Sequence, residues 1–362
     1  MGRKACTLNP AALWRRSKIM ILDAHSLPII FAGIMAFIIL AYVVLDGFDL
    51  GVGMLFVVEN DAVDRDVMVN TIAPVWDGNE TWLVLGGSTL YGAFPVAYSV
   101  ILPAVYPLVI MMLMGLIFRG VAFEFRFRAD TARHRRLWDL GFVGGSVVAA
   151  FCQGAILGAL IQGTKIAHEQ FAGGAMDWLS GFSIFCGIAV VLGYALLGSA
   201  WLVWRTEGEL QGRMRNYAKT LGVVMVALIG IVSLWSPTLN IDFAHRWFAW
   251  PGILATGLAP ILTIALAFGF FKSLQRKDTA HHDKTPFLCV LGWFVVSFLG
   301  LGYSIYPQIV PPDLNIWQAS STVSSQEFLL VGSVVMIPII VAYNAFAYYI
   351  FRGKIAAGAH YH

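Results

Sequence analysis

Charge is what this 362-residue chain has least of: 12% of its residues are Asp, Glu, Lys or Arg, against 58% hydrophobic. Soluble domains carry about 25% charged residues, so this composition, with a mean hydropathy of +0.73, argues against a soluble globular enzyme. Cysteine is also rare. Cys6, Cys152, Cys186 and Cys289 form no CxxC pair and no metal-ligand spacing. Three of them sit in apolar segments, as small buried hydrophobes do. The aromatics lie in apolar runs rather than between lysines, so there is no nucleic-acid footprint. Histidine is missing where a bundle haem would need it. His25, His134, His168, His245, His281, His282, His360 and His362 lie in loops or at span ends, whereas a membrane b-type haem takes axial His or Met ligands inside the bundle. Met111, Met112 and Met114 fall in an apolar run that reads as core packing. The chain alone is a poor haem binder, with no zinc signature, nucleophile elbow or phosphate-binding glycine loop.

What is present is apolar sequence in long runs. A bilayer core takes about 20 apolar residues per helix, and nine candidate spans satisfy it: 27–58, 75–97, 99–123, 140–162, 178–204, 218–236, 252–272, 286–306 and 328–351. The expected fold is all-α, a polytopic membrane protein of about nine transmembrane helices. The first span is long enough to project beyond the hydrocarbon or to break near Gly51–Gly53. The second and third are joined so tightly around Pro95 to Ser99 that merging them into an eight-span chain is an alternative.

Basic residues give the orientation. Arg126, Arg128, Arg133, Arg135 and Arg136 fall in one loop, Arg205, Arg213, Arg215 and Lys219 in another, and Lys272, Arg276, Lys277 and Lys284 in a third. Loops 163–177, 237–250 and 307–327 hold only Lys165 and Arg246. The positive-inside rule puts the first group and the C-terminus in the cytoplasm; nine spans then put the N-terminus outside. Residues 1–19 are basic and misfit that placement, so they are expected to be a non-native or disordered extension, with Met20 as the native start. Residues 20–355 form the membrane domain and 356–362 a short cytoplasmic tail. No internal repeat is evident.

Ionisable groups inside a bilayer cost about 2.5–3.5 kcal/mol each on insertion scales, which makes the few present functional candidates. Asp46 and Asp49 lie in the first span, three residues apart, and so share a helix face. Asp77 and Glu80 repeat the spacing at the start of the second span. Two carboxylates so close disfavour double ionisation, and such a pair can hold a proton and pass it on. Asp77 and Glu80 can equally complement the helix dipole at the N-terminus of that span. Arg119, in the third span, is poorly spaced for Glu124 and is expected to find a carboxylate on another span, such as Asp46 or Asp49. That pair would lock helices together or set the carboxylates' charge.

Three motifs resemble one family. LDGFDLGVGML (45–55), NTIAPVWDGNETWLV (70–84) and LIFRGVAFEFR (116–126) are similar to subunit II of cytochrome bd-type quinol oxidases, including the cyanide-insensitive branch. WDLG (138–141), LIQG (160–163), GELQGRMR (208–215) and FRGK (351–354) continue the pattern over 20–355. The resemblance implies a complex of the bacterial inner membrane that oxidises ubiquinol and reduces O2 to water. In that family haems b558, b595 and d are ligated by subunit I, and subunit II is its haem-free partner. It further implies contact with membrane lipids, room for a structural quinone and for small single-helix accessory subunits, and a proton path from the cytoplasm. Asp77, in the WDGN motif, matches a position proposed for that path; Glu80, Asp46 and Asp49 are further candidates, with Arg119 as charge partner. From the residues alone, a secondary transporter coupled through the same carboxylates is the rival, but the internal repeats and broken helices of such folds are not found.

Overall fold

Each apolar run must satisfy its own backbone hydrogen bonds, and in lipid a helix does so without a partner. The computed structural model describes residues 23–239, 241–275 and 284–355, and within them the runs become helices: α1 (Ser26–Leu55), α2 (Ala62–Asn70), α3 (Trp76–Ala93), α4 (Pro95–Arg126), α5 (Ala132–Gln162), α6 (Gly181–Arg205), α7 (Gly208–Leu239), α8 (Ile241–Phe248), α9 (Gly252–Gln275), α10 (Lys284–Ile305), α11 (Ile316–Ala319) and α12 (Val323–Ile350). Eight of these are long and apolar enough to cross a membrane: α1, α4, α5, α6, α7, α9, α10 and α12. Helix α3 falls short because the polar run Asp77 to Thr81 occupies its first half. Residues 1–19, Arg276, Lys277 and the tail 356–362 lie outside the described residues.

The second and third apolar runs are separate helices. Phe94 takes φ −132°, ψ 61° and Pro95 opens α4. A residue before proline is pushed out of the helical region, and proline itself suits the first turn. Within α4, Val105 leaves helical geometry between Pro103 and Pro107, which kinks the helix.

Helix α1, by contrast, runs unbroken through Gly51 and Gly53, so a break there is not what these glycines are for. A methyl on Gly51 would lie 1.9 Å from the carbonyl oxygen of Tyr194 and 2.9 Å from the amide nitrogen of Gly198. Gly51 lets α1 and α6 meet backbone to backbone, the use small residues have between membrane helices, while Gly53 faces Ser146 and Phe142 of α5.

Helix directions follow from contacts. Phe31 near the start of α1 clusters with Ala97 and Val100 near the start of α4, while Asp46 meets Arg119 further along both. The two helices are therefore parallel. In α3, Asn79 meets Asp49, whereas a methyl on Gly86 would touch Ile38, so α3 runs back between them. Helix α12 lies against α3. Small hairpins depart from the all-α expectation: β1 (Ile166–Ala167) pairs with β2 (Gln170–Phe171) and β3 (Gln308–Val310) with β4 (Leu314–Asn315). Both lie in the weakly charged loops. The largest apolar core, around Phe48, Trp201, Phe287 and Trp293, is at the opposite end.

Candidate functional site

Four helices bring the rare polar residues together. Asp46 and Asp49 on α1 are fully buried, at 0% exposure. Their spacing turns both toward α3 and α4, and each takes a different partner. Asp46 Oδ1 accepts from Arg119 Nη1 of α4 at 2.7 Å, and Glu80 Oε1 of α3 reaches the same nitrogen at 3.2 Å. Arg119 is 1% exposed, and its guanidinium lies 5.9 Å from the Trp76 ring centroid. Asp49 Oδ2 accepts from Asn79 Nδ2 at 2.7 Å, and that nitrogen also faces the Leu45 carbonyl at 3.2 Å. The other end of the amide is held from α12: Tyr348 Oη donates to Asn79 Oδ1 at 3.0 Å. One guanidinium therefore faces the Asp46–Glu80 pair, with Asp49 close by. Asp46 Oδ2, Asp49 Oδ1 and Arg119 Nη2 are buried with no hydrogen-bond partner among the described residues.

The cross-span partner expected for Arg119 is Asp46, with Glu80 beside it; Glu124 is exposed and takes no part. Asp77 is also apart from the cluster. It sits in the first turn of α3 with its side chain exposed, two residues before Asn79. Its neighbour Glu80 faces inward, so the pair with matched spacing divides between an exposed position and the interior.

Two polar groupings escape the sequence. Tyr42, one turn before Asp46, accepts from Gln153 Nε2 of α5 at 2.8 Å, and Gln153 Oε1 accepts from Tyr194 Oη of α6 at 2.8 Å. A lone glutamine inside an apolar run is the one signal of it. The other grouping lies where the basic loops gather. Arg126, 1% exposed, bonds Asp139 Oδ1 at 2.5 Å and Asp66; Arg65 bonds Asp139 Oδ2 at 2.7 Å; Arg135 also reaches Asp66. Arg213 of α7 pairs with Glu59 at 3.0 Å and with Asp64. Helix α2 is thus clamped across the ends of α4, α5 and α7. Residues that in sequence only mark topology also hold this end together.

The donors for a bundle haem do not fit. The described histidines, His25, His134, His168 and His245, are all exposed. Buried methionines such as Met54, Met68 and Met112 pack in apolar clusters. No group of three or more His, Cys, Asp or Glu suited to a metal ion occurs among the described residues.

The sequence matches the cytochrome bd terminal oxidase subunit II family over residues 27–351. The chain belongs to that family. It is 29% identical over 352 residues to cytochrome bd-I ubiquinol oxidase subunit 2 of Escherichia coli (strain K12), covering 88% of this chain and 92% of that one. It is 29% identical over 341 residues to cytochrome bd ubiquinol oxidase subunit 2 of Bacillus subtilis (strain 168), covering 89% and 95%. Its fold is similar to a chain of the bd oxidase from Geobacillus thermodenitrificans, with a TM-score of 0.67 at 15% identity over 90% of this chain and 98% of that one. As a bd oxidase subunit II, the chain is one component of an oxidoreductase complex, a terminal quinol oxidase, and works beside a subunit I. Family and apolar helices together make it a multi-pass protein of the bacterial inner membrane.

Proposed function

We propose that this subunit II is the haem-free partner of a subunit I carrying haems b558, b595 and d. In this reading the complex oxidises ubiquinol and reduces O2 to water, and this chain supplies support and a proton path from the cytoplasm. Nine helices cross the membrane, α3 included, with the N-terminus outside and the C-terminus inside. That arrangement is supported by the antiparallel run of α3 between α1 and α4 and by the basic loops, which then share one side.

The observation that carries the proton path is the burial of Asp46 and Asp49 beside a single guanidinium, with the exposed Asp77 two residues from Asn79, the partner of Asp49. Such carboxylates are costly in a membrane, and those present mark ion pairs or proton pathways. Arg119 balances one of them, which leaves the others free to take up and release protons. The need for a path is energetic. Protons consumed at the O2 site come from the inner side, and each charge moved against 100 mV stores about 2.3 kcal/mol.

Asp77→Asn tests this directly. Assembly and haem content should be unchanged, and O2 consumption by the purified complex should fall several-fold; unchanged turnover would remove Asp77 from the path. Asp49→Asn separates relay from scaffold, because loss of haem from the complex would mark a role in assembly instead.

A further inference from the structure

The path proposed above does not use α12, yet α12 carries two polar side chains at the level of Asp49. Among its described residues only Gln326, near its start, and Asn344 are buried. Asn344 is 6% exposed, and its Nδ2 has no hydrogen-bond partner among the described residues. A buried amide without a partner is costly. Asn344 and Tyr348, four residues apart and so on one helix face, line a pocket of ≈ 10 Å³ with Val75, Gly78 and Ala347. That is the space of one water. The pocket depends on residue 78 being glycine, since a methyl there would come within 3.0 Å of Asn344 Oδ1.

Tyr348 also holds Asn79 from its other end. Asn79 Oδ1 accepts from the Tyr348 hydroxyl, and Nδ2 faces Asp49 and the Leu45 carbonyl. Both of those are acceptors. Reversed, the amide oxygen would face the Leu45 carbonyl, which cannot donate, and only a protonated Asp49 could meet it.

We infer that Tyr348 and Asn344 are positioning residues for Asp49: Tyr348 locks the Asn79 amide, and Asn344, with a single water in the pocket, locks Tyr348. The inference rests on the proton-path reading and extends it to α12. Tyr348→Phe keeps the ring that packs against Phe48 and Trp201 and deletes only the donor. Asn344→Leu removes the amide at similar volume, and Asn344→Ser keeps a polar group with room for water.

In the purified complex with full haem content, Tyr348→Phe and Asn344→Leu should each lower O2 consumption about fivefold, the effect of one hydrogen bond. Asn344→Ser should recover at least half of the loss. Infrared difference spectra should show the carboxyl band that disappears in Asp49→Asn displaced in both variants, which a packing role would not produce. Native turnover and an unmoved band in both, alongside an inactive Asp49→Asn, would overturn the inference and leave the path standing. Full activity in Asp49→Asn would overturn both. Haem loss in Asn344→Leu with a native Tyr348→Phe would make Asn344 a packing residue and end the inference.

Discussion

Replacing Asp46 with leucine removes the closest partner of a guanidinium that is 1% exposed and 2.7 Å away. Breaking a buried pair by deleting one member costs about 3–5 kcal/mol, chiefly because the remaining charge is stranded. Two contacts soften the loss here. Glu80 stays at 3.2 Å with its side chain 28% exposed, and the Trp76 face lies at 5.9 Å, near the limit of about 6 Å for a cation–π contact. The expected loss for Asp46→Leu is therefore at the lower end, about 3 kcal/mol, or roughly 150-fold in the equilibrium between folded and unfolded states. Retention of haem absorbance by the detergent-purified complex on heating measures it, together with the yield of assembled complex. The double variant Asp46→Leu, Arg119→Met carries the decisive comparison, because removing both buried charges leaves Glu80, which can reach water, and Asp49, which keeps its hydrogen bond from Asn79. It should recover about 2 kcal/mol relative to the single variant, a coupling typical of residues in direct contact. A single variant as stable as the native complex, or a double variant no better than the single, would refute the stranded-charge reasoning.

Other expectations concern packing and the ion network. Gly51→Ala should abolish assembly, judged by the absence of haem-bearing complex, because its methyl has only the Tyr194 and Gly198 backbone to enter; Gly33→Ala, with nothing within 4 Å, should assemble normally. Arg126→Met should cost about 2 kcal/mol, since Arg65 and Arg135 retain part of the hold on Asp139 and Asp66. Heating at low and high salt should show the same drop, because buried pairs are little screened; a loss that vanishes at high salt would count against burial as its cause. Lys165→Met, which breaks only an exposed contact to Asp177 at 3.3 Å, should leave thermal stability unchanged at either salt concentration.

Much of this protein is legible in its sequence. The spans are readable because each must be apolar along its whole length, a local property that hydropathy measures. Asp46, Asp49 and Arg119 stand out for the same reason, since a charge in lipid carries its cost at its own position. Even the separation of α3 from α4 is written in the Phe94–Pro95 step. Less is legible where polar residues sit outside an apolar context. The ion pairs of Arg126, Arg65 and Arg213 join segments that in sequence look like solvated basic loops, and α2 reads there as part of a connection.

Pairing is what tertiary structure alone decides. Composition singles out the carboxylates, but which of them meets Arg119 depends on which helices are neighbours and how each is rotated. Asn79 meets a tyrosine 269 residues away, and no local pattern encodes that distance. Gly51 shows the same division: its sequence context is equally consistent with a helix break, and the approach of α6 turns it into a point of backbone contact. Burial cost acts residue by residue and so is visible in a sequence. Hydrogen-bond satisfaction acts between residues, and it takes a definite value only once the packing of the helices brings donor and acceptor together.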